Sequence, residues 1–381
     1  MINTAERLQH VREYYFSSKL REVRQLAMSG KPIINLGIGS PDLPPLESAV
    51  QAMIAATNDA GAHQYQSYQG LPELRKAMAD FYQKHFHVAL DFNSEVLPLM
   101  GSKEGIMHIS MAFLNPGDKV LIPNPGYPTY ESVTKLVGAE PVFYDLKEES
   151  NWEPDFDAIE REDLSHVKIM WLGYPQMPTG AKGTKSMFEN AVAFAKKHDI
   201  LLVNDNPYGF ILNPNPLSIL QVEGAKDVTL ELNSLSKTFN MSGWRVGMAL
   251  GKPEFIDAVL KVKSNMDSGM FYPIQKGATA ALQCDISWFD ELNVIYQKRR
   301  ELVFTLAETL GCTFNRDTAG LFVWAKLPEG IGSEDFIDTV LYEKDIFITP
   351  GTIFGSNGEG YIRFSICVGG EKIQEAINRF K

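Results

Sequence analysis

Three cysteines in 381 residues, Cys284, Cys312 and Cys367, are too few and too widely spaced for a disulfide framework or a metal cluster. Their odd number points the same way, so a reducing compartment is expected. A run of about 18 apolar residues, the length a transmembrane helix needs, is missing. There is no apolar signal core near the N-terminus, and Glu6, Glu13 and Glu22 count against a transit peptide. The expected location is cytoplasmic. Basic residues are outnumbered, with 36 Lys and Arg against 47 Asp and Glu and a net charge of -11. That balance argues against a nucleic-acid partner, because phosphate backbones are held by basic patches. It leaves room for a small anion bound by one or two arginines. The seven histidines show no metal-ligand spacing; His85 and His87, two apart, suit neither one face of a helix nor a known motif. No metal site is expected. Internal repeats and low-complexity linkers are also lacking.

What is present is a chain of ordinary globular composition, 44% hydrophobic and 22% charged, with length for two domains. Apolar runs at 95–99, 119–123, 140–144, 168–172, 200–205, 229–232 and 246–250 read as strands. Helix-length segments such as 103–114 and 186–198 lie between most of them. This alternation predicts an α/β fold, with a mostly parallel, mixed seven-stranded sheet between helices. The seventh strand follows the sixth too closely for a crossover helix, so it is expected to run antiparallel. After about residue 284 the pattern changes to a long charged helix (286–310), strands at 321–326, 347–349 and 361–366, and a helix at 334–344, a smaller α+β domain. The segment before about residue 35 reads as a helical arm. The expected division is 1–45 for the arm and part of the small domain, 46–283 for the large domain and 284–381 for the small C-terminal domain.

The residue best placed for chemistry is Lys237, in Ser234-Leu235-Ser236-Lys237-Thr238-Phe239-Asn240-Met241-Ser242-Gly243-Trp244-Arg245. Most lysines are solvated surface charges. This one follows the apolar run 227–232, which delivers it beyond the carboxyl end of a strand, where open α/β sheets bind ligands. A partly desolvated amine near another cation has a lowered pKa and attacks carbonyls. Arg245, eight residues on, suits a phosphate. An amine able to form a Schiff base beside a phosphate clamp points to pyridoxal 5'-phosphate. Gly101-Ser102-Lys103-Glu104-Gly105 follows a strand and opens a helix, where free N–H groups and the helix dipole favour an anion. Asp205 closes the apolar run 200–203, with Tyr208 three residues later. A carboxylate there can be a simple turn former, or it can pair with a protonated ring nitrogen. Arg363 lies in the apolar run 361–366, where a charge is unfavourable unless paired.

These segments resemble the fold-type I pyridoxal-phosphate aminotransferases of the aspartate aminotransferase superfamily, from about Asn35 to Arg363. The group most resembled is the LL-diaminopimelate aminotransferases, through Gly101-Ser102-Lys103-Glu104-Gly105-Ile106, Val262-Lys263-Ser264-Asn265-Met266-Asp267-Ser268-Gly269 and Asn357-Gly358-Glu359-Gly360-Tyr361-Ile362-Arg363-Phe364. The resemblance implies that Gly101, Ser102, Lys103, Ser234, Ser236 and Arg245 surround the cofactor phosphate. It implies that Tyr127, in Pro123-Asn124-Pro125-Gly126-Tyr127-Pro128, stacks on the ring. Asp205 is expected to meet the ring nitrogen, Tyr208 the phenolic oxygen, and Arg363, with Gly39 nearby, the substrate α-carboxylate. Tyr65 matches a tyrosine that reaches the partner subunit's phosphate, which implies a homodimer with shared sites. One position departs from the pattern. In Tyr174-Pro175-Gln176-Met177-Pro178-Thr179-Gly180 the asparagine expected at the ring's phenolic oxygen is Met177, whose thioether cannot donate a hydrogen bond. Gln176 is one position off from filling that role.

The implied reaction is transamination between an L-amino acid and a 2-oxo acid, with a diaminopimelate-like donor. A carbon–sulfur β-lyase on the same scaffold and a non-catalytic cofactor-binding module are the alternatives.

Overall fold

The computed structural model describes residues 2–11, 13 and 15–381. In chain order its strands are β1 (Ile34–Asn35), β2 (Val96–Leu99), β3 (Lys119–Asn124), β4 (Glu140–Asp145), β5 (Val167–Leu172), β6 (Leu201–Asp205), β7 (Thr229–Ser234), β8 (Gly247–Gly251), β9 (Thr313–Phe314), β10 (Phe322–Lys326), β11 (Ile346–Phe347), β12 (Thr349–Pro350) and β13 (Tyr361–Ser365). Strands β2 to β8 form one sheet, ordered β2-β8-β7-β6-β5-β3-β4. Its pairs are parallel from β4 through β3, β5 and β6 to β7. As expected from the short gap, β8 is antiparallel, and to both its neighbours.

The inner parallel strands β3, β5, β6 and β7 are buried almost throughout because both faces of the sheet are covered there, whereas the edge strand β4 is largely exposed. Ile169, Trp171, Val203, Leu230 and Leu232 enter one core cluster, while Met170, Leu172 and Leu202 enter another. The helices doing the covering carry clear local signals. Lys185–His198 starts where the Thr184 side chain accepts from the Met187 N–H, and it ends at Asp199, whose φ of 53° is left-handed. Met187, Phe188, Ala191, Val192 and Ala195 form its buried stripe. Lys196, Lys197 and His198 in its last turn complement the helix dipole. Each fully buried side chain of leucine or phenylalanine size in such a stripe contributes roughly 1.5–3 kcal/mol.

The C-terminal part holds the long helix Ser287–Thr309, the helix Ser333–Lys344 and a four-stranded antiparallel sheet ordered β12-β13-β10-β9. The single strand expected at 347–349 is two strands in different sheets. Ile346–Phe347 pairs in parallel with Ile34–Asn35, and Thr349–Pro350 pairs with β13. The chain changes partners at Ile348 because the N-terminal segment supplies the first pair. The helix Tyr15–Met28 docks on this part through Lys19, which binds Asp338 at 2.8 Å. Asp42 ties the same N-terminal segment to the long helix by a two-pronged contact with Arg299, at 2.6 and 3.0 Å.

Candidate active site

The carboxyl ends of the parallel strands converge on one cavity of about 530 Å³. Asp205 ends β6, Ser234 ends β7, Gly173 follows β5 and Pro123 lies near the end of β3; all four line it. This is the place where open α/β sheets bind ligands. The cavity gathers Gly39, Ser102, Lys103, Tyr127, Asp205, Tyr208, Ser234, Ser236, Lys237, Arg245 and Arg363. Two predicted site residues lie off its wall. Gly101 sits directly behind it, and Tyr65, 90% exposed, belongs to a separate surface depression with Gln66, Ser268 and Phe271.

Lys237 is presented by the short helix Leu235–Thr238, immediately after β7. The Ser234 hydroxyl caps that helix by accepting from the Ser236 N–H. The Lys237 ammonium donates to the Gly39 carbonyl. Burial lowers its pKa to about 8, with Arg363 and Arg245 adding like-charge repulsion and Cys367 opposing them. A sizeable neutral fraction near neutral pH is what a nucleophilic amine requires.

Arg245 has a left-handed φ of 57° and donates to the Ser242 carbonyl at 3.0 Å and the Ser236 hydroxyl at 3.4 Å. Its guanidinium lies against Gly101, where a β-carbon would come within 2.0 Å of Nη2. With a φ of 92°, Gly101 is required both for the turn and for that close approach. The helix Ser102–Phe113 that follows has no side-chain cap at its N-terminus. Helix terminus, Arg245 and the two serines together make a ready anion cup.

Asp205 is 6% exposed. Its Oδ2 accepts from the Tyr130 hydroxyl at 3.2 Å, while Oδ1 is buried without a hydrogen-bond partner. Burial raises its pKa to about 7; the Tyr130 bond lowers it and the Glu231 carboxylate raises it. An orphaned carboxylate oxygen facing a cavity is a strong demand for a cationic or protonated partner. Tyr208 packs edge-on against Phe322, and burial holds its hydroxyl well above the usual phenol range. Tyr127 stands perpendicular to Tyr130, with ring centres 5.6 Å apart.

Arg363 is 4% exposed. Its guanidinium lies over the Phe322 ring at 3.8 Å and the Phe354 ring at 4.6 Å. One nitrogen donates to the Gly37 carbonyl at 3.0 Å and another to the Met177 sulfur at 3.2 Å. Gly39 has no room for a side chain, since a β-carbon would meet Phe322 at 2.2 Å. Gln176 is held within its own loop. Its amide donates to the Pro125 carbonyl at 2.8 Å and accepts from the Thr179 N–H and hydroxyl at 2.9 and 2.6 Å. Those bonds keep it from taking the role that Met177 leaves open.

The motifs did not reveal Tyr130, Leu20, Ile38, Phe322 or Phe354, all of which line the cavity. Tyr130 had a signal: it lies one helical turn beyond Tyr127. Phe322 and Phe354 lie in segments that read as ordinary core, Leu20 in the polar arm helix and Ile38 beside Gly39.

Among the described residues one cluster has the proximity for a metal, Glu104, His108 and Asp267. The Lys263 ammonium, 2.9 Å from Asp267, already supplies a positive charge there.

Residues 31–380 match the family model for aminotransferase class I and II. The chain is 41% identical over 379 residues to an LL-diaminopimelate aminotransferase of Nitratidesulfovibrio vulgaris, covering 98% of this chain and 97% of that protein. Among solved structures, substrate-bound BacF from Bacillus subtilis superposes with a TM-score of 0.96 at 36% identity, covering 100% of this chain and 97% of that one. An aromatic aminotransferase from Pyrococcus horikoshii does so with a TM-score of 0.87 at 30% identity, over 95% and 97% of the two chains. Match, identity and superposition all run nearly end to end, and the chain belongs to the class I and II aminotransferase family.

Proposed function

We propose that this chain is a pyridoxal-phosphate-dependent aminotransferase whose reacting amine is Lys237. Enzymes of the family generally depend on that cofactor. The observation that carries the reading is the meeting, in one cavity, of a half-buried amine, an orphaned carboxylate oxygen, an anion cup at the exposed Arg245 and the buried Arg363. These groups fit the cofactor one for one. Ser102, Lys103, Ser234, Ser236 and Arg245 would hold its phosphate, Asp205 its protonated ring nitrogen, and Tyr127 and Tyr208 its ring. When bound, the cofactor supplies an electron sink for the charge left on the substrate α-carbon. Lys237 would take the proton from the substrate α-carbon and deliver it to the cofactor carbon that carries the nitrogen, the shift that transamination requires and that its lowered pKa favours. Arg363, fixed between two aromatic rings, binds the α-carboxylate with its planar fork. Tyr65 serves the partner subunit's site in a homodimer. The large domain, 46–283, carries the cofactor groups, and the arm (1–45) and the small domain (284–381) carry Gly39 and Arg363.

The relatives' name makes LL-diaminopimelate the first donor to test. A second reading of the substrate rests on the apolar part of the cavity lining. Leu20, Ile38, Met177, Phe322 and Phe354 form it, and the Tyr144 and Tyr174 hydroxyls turn away to the Trp171 and Trp152 carbonyls. Among the described lining residues Asp205 is the sole carboxylate, so a distal ammonium finds no counter-charge besides it. Donors with apolar or aromatic side chains fit it better. The deciding experiment gives the purified protein LL-diaminopimelate, phenylalanine, methionine or leucine, each with 2-oxoglutarate. A higher kcat/KM for diaminopimelate favours the relatives' substrate; a higher value for phenylalanine or methionine favours the apolar reading. No amino transfer from any donor rejects the proposed function, and pyruvate, ammonia and a thiol without an oxo acid identify a lyase.

Arg363→Lys keeps the charge but loses the planar fork. It is expected to raise KM for every amino acid and oxo acid by about 10- to 100-fold, the loss of one charge-assisted contact of about 1.5–3 kcal/mol. Steady-state kinetics with several substrate pairs checks this. A change confined to one donor would move Arg363 to the side-chain end of the site.

A further inference from the structure

A second polar system lies under the cavity, on the sheet face opposite Asp205. Its centre is Glu231, in the middle of β7 and 0% exposed. The carboxylate accepts from the Tyr82 hydroxyl at 2.6 Å, the Ile219 N–H at 2.9 Å, the Ser218 hydroxyl at 3.1 Å and the Asn204 amide at 3.4 Å. Among the described residues no cation forms an ion pair with it. Burial raises its pKa, and these four donors oppose the rise. A buried carboxylate held only by neutral donors is an unfavourable choice for stability alone, so its connections matter.

Two of these four contacts lead to the cavity. The Asn204 oxygen accepts from the Tyr174 N–H at 3.1 Å, at the start of the segment that carries Met177. Asn204 itself precedes Asp205. On the other side, the Tyr82 hydroxyl accepts from the Asn233 amide at 2.9 Å, and the Asn233 oxygen accepts from the Ser234 N–H at 2.7 Å. Ser234 caps the helix that presents Lys237. One carboxylate therefore braces the carboxyl ends of β5, β6 and β7, which carry the segment of Met177, Asp205 and Lys237 respectively.

We propose that Glu231 is a positioning residue for the cofactor site, setting the relative placement of these three strand ends through Asn204 on one side and Tyr82 and Asn233 on the other. It touches neither substrate nor cofactor. A network of this kind works only when fully satisfied, and misplacement of reacting groups by about 1 Å can lower rates about 100-fold.

The inference rests on the cofactor reading for its consequence, but its structural half can be read without the cofactor. In Glu231→Gln, which keeps the shape but turns one acceptor into a donor, the Tyr174 and Ser234 amides should exchange hydrogen faster in cofactor-free protein. The β3–β4 amides should not change. In the loaded enzyme, pyridoxal phosphate should leave about 10- to 100-fold faster, and kcat should fall more than KM rises. Phe194→Leu, in the same core cluster as Tyr82 but packed on Phe156, controls for general loosening. Parental exchange at both amides, or equal acceleration of cofactor release in Phe194→Leu, overturns the proposal. Should Glu231→Gln fail to fold, Tyr82→Phe severs only the Asn233 branch: Ser234 exchange should rise while Tyr174 stays protected, and no change at Ser234 overturns the proposal. If the parent binds no pyridoxal phosphate, the proposed function fails, while the amide exchange still tests Glu231.

Discussion

Lys237→Ala is expected to lower turnover by more than about 10⁴-fold, because in the proposed function one side chain supplies both the covalent attachment and the proton transfer, and proton transfer alone is worth about 10²–10⁴. The cofactor should still bind, held by the anion cup at Arg245 and Ser236 and by Asp205. Its visible absorbance should then match that of the free aldehyde rather than that of a lysine adduct. Added methylamine should restore part of the proton transfer. Ordinary turnover by this variant would remove Lys237 from the reaction. Loss of all cofactor binding would instead mean that the covalent bond, not the cup, holds the group.

Asp205→Asn should separate activity from stability. Activity is expected to fall by about 10²–10³-fold, the scale seen when one electrostatic partner of a reacting centre is removed. The stability of the cofactor-free protein should change in the opposite direction. In the folded chain Asp205 titrates at about 7 rather than at its ordinary 3.8, chiefly through burial. Between those values the unfolded chain has released the proton and the folded chain still holds it, so stability falls as pH rises through this window. Above pH 7 the full loss is present, on the order of a few kcal/mol. Asparagine cannot ionise, so the variant should unfold at higher denaturant than the parent at about pH 8, with the gap closing towards about pH 4. Equal gaps at both values would mean that the carboxylate finds a partner in the empty protein.

Much of this architecture was legible because both faces of the large sheet are buried. Its strands were found as apolar runs, and the gap between 232 and 246 was too short for a crossover, which gave β8 its direction. The two-residue strands Ile34–Asn35 and Ile346–Phe347 carry no periodicity of their own. They are strands only because a segment some 300 residues distant in sequence lies alongside. The site divides in the same way. Lys237, Asp205, Arg245 and Gly101 sit in short segments whose polar residues interrupt apolar runs. Phe322 and Phe354, which hold the Arg363 guanidinium between them, are indistinguishable in sequence from core phenylalanines. Gln176 was a candidate for the ring's phenolic oxygen by proximity alone, and only the fold showed its amide bound to Pro125 and Thr179.

Four cationic side chains, Lys103, Lys237, Arg245 and Arg363, face a single carboxylate inside a chain of net charge -11. Low-dielectric aromatic walls strengthen the field of these cations inside the cavity, while the chain as a whole carries the opposite sign. At physiological salt the attraction dies away over about 8 Å, so an approaching carboxylate or phosphate is captured at the mouth rather than steered from afar. Inorganic phosphate and sulfate should therefore act as competitive occupants, and raising the ionic strength with chloride should slow substrate capture far less than those anions do at equal concentration.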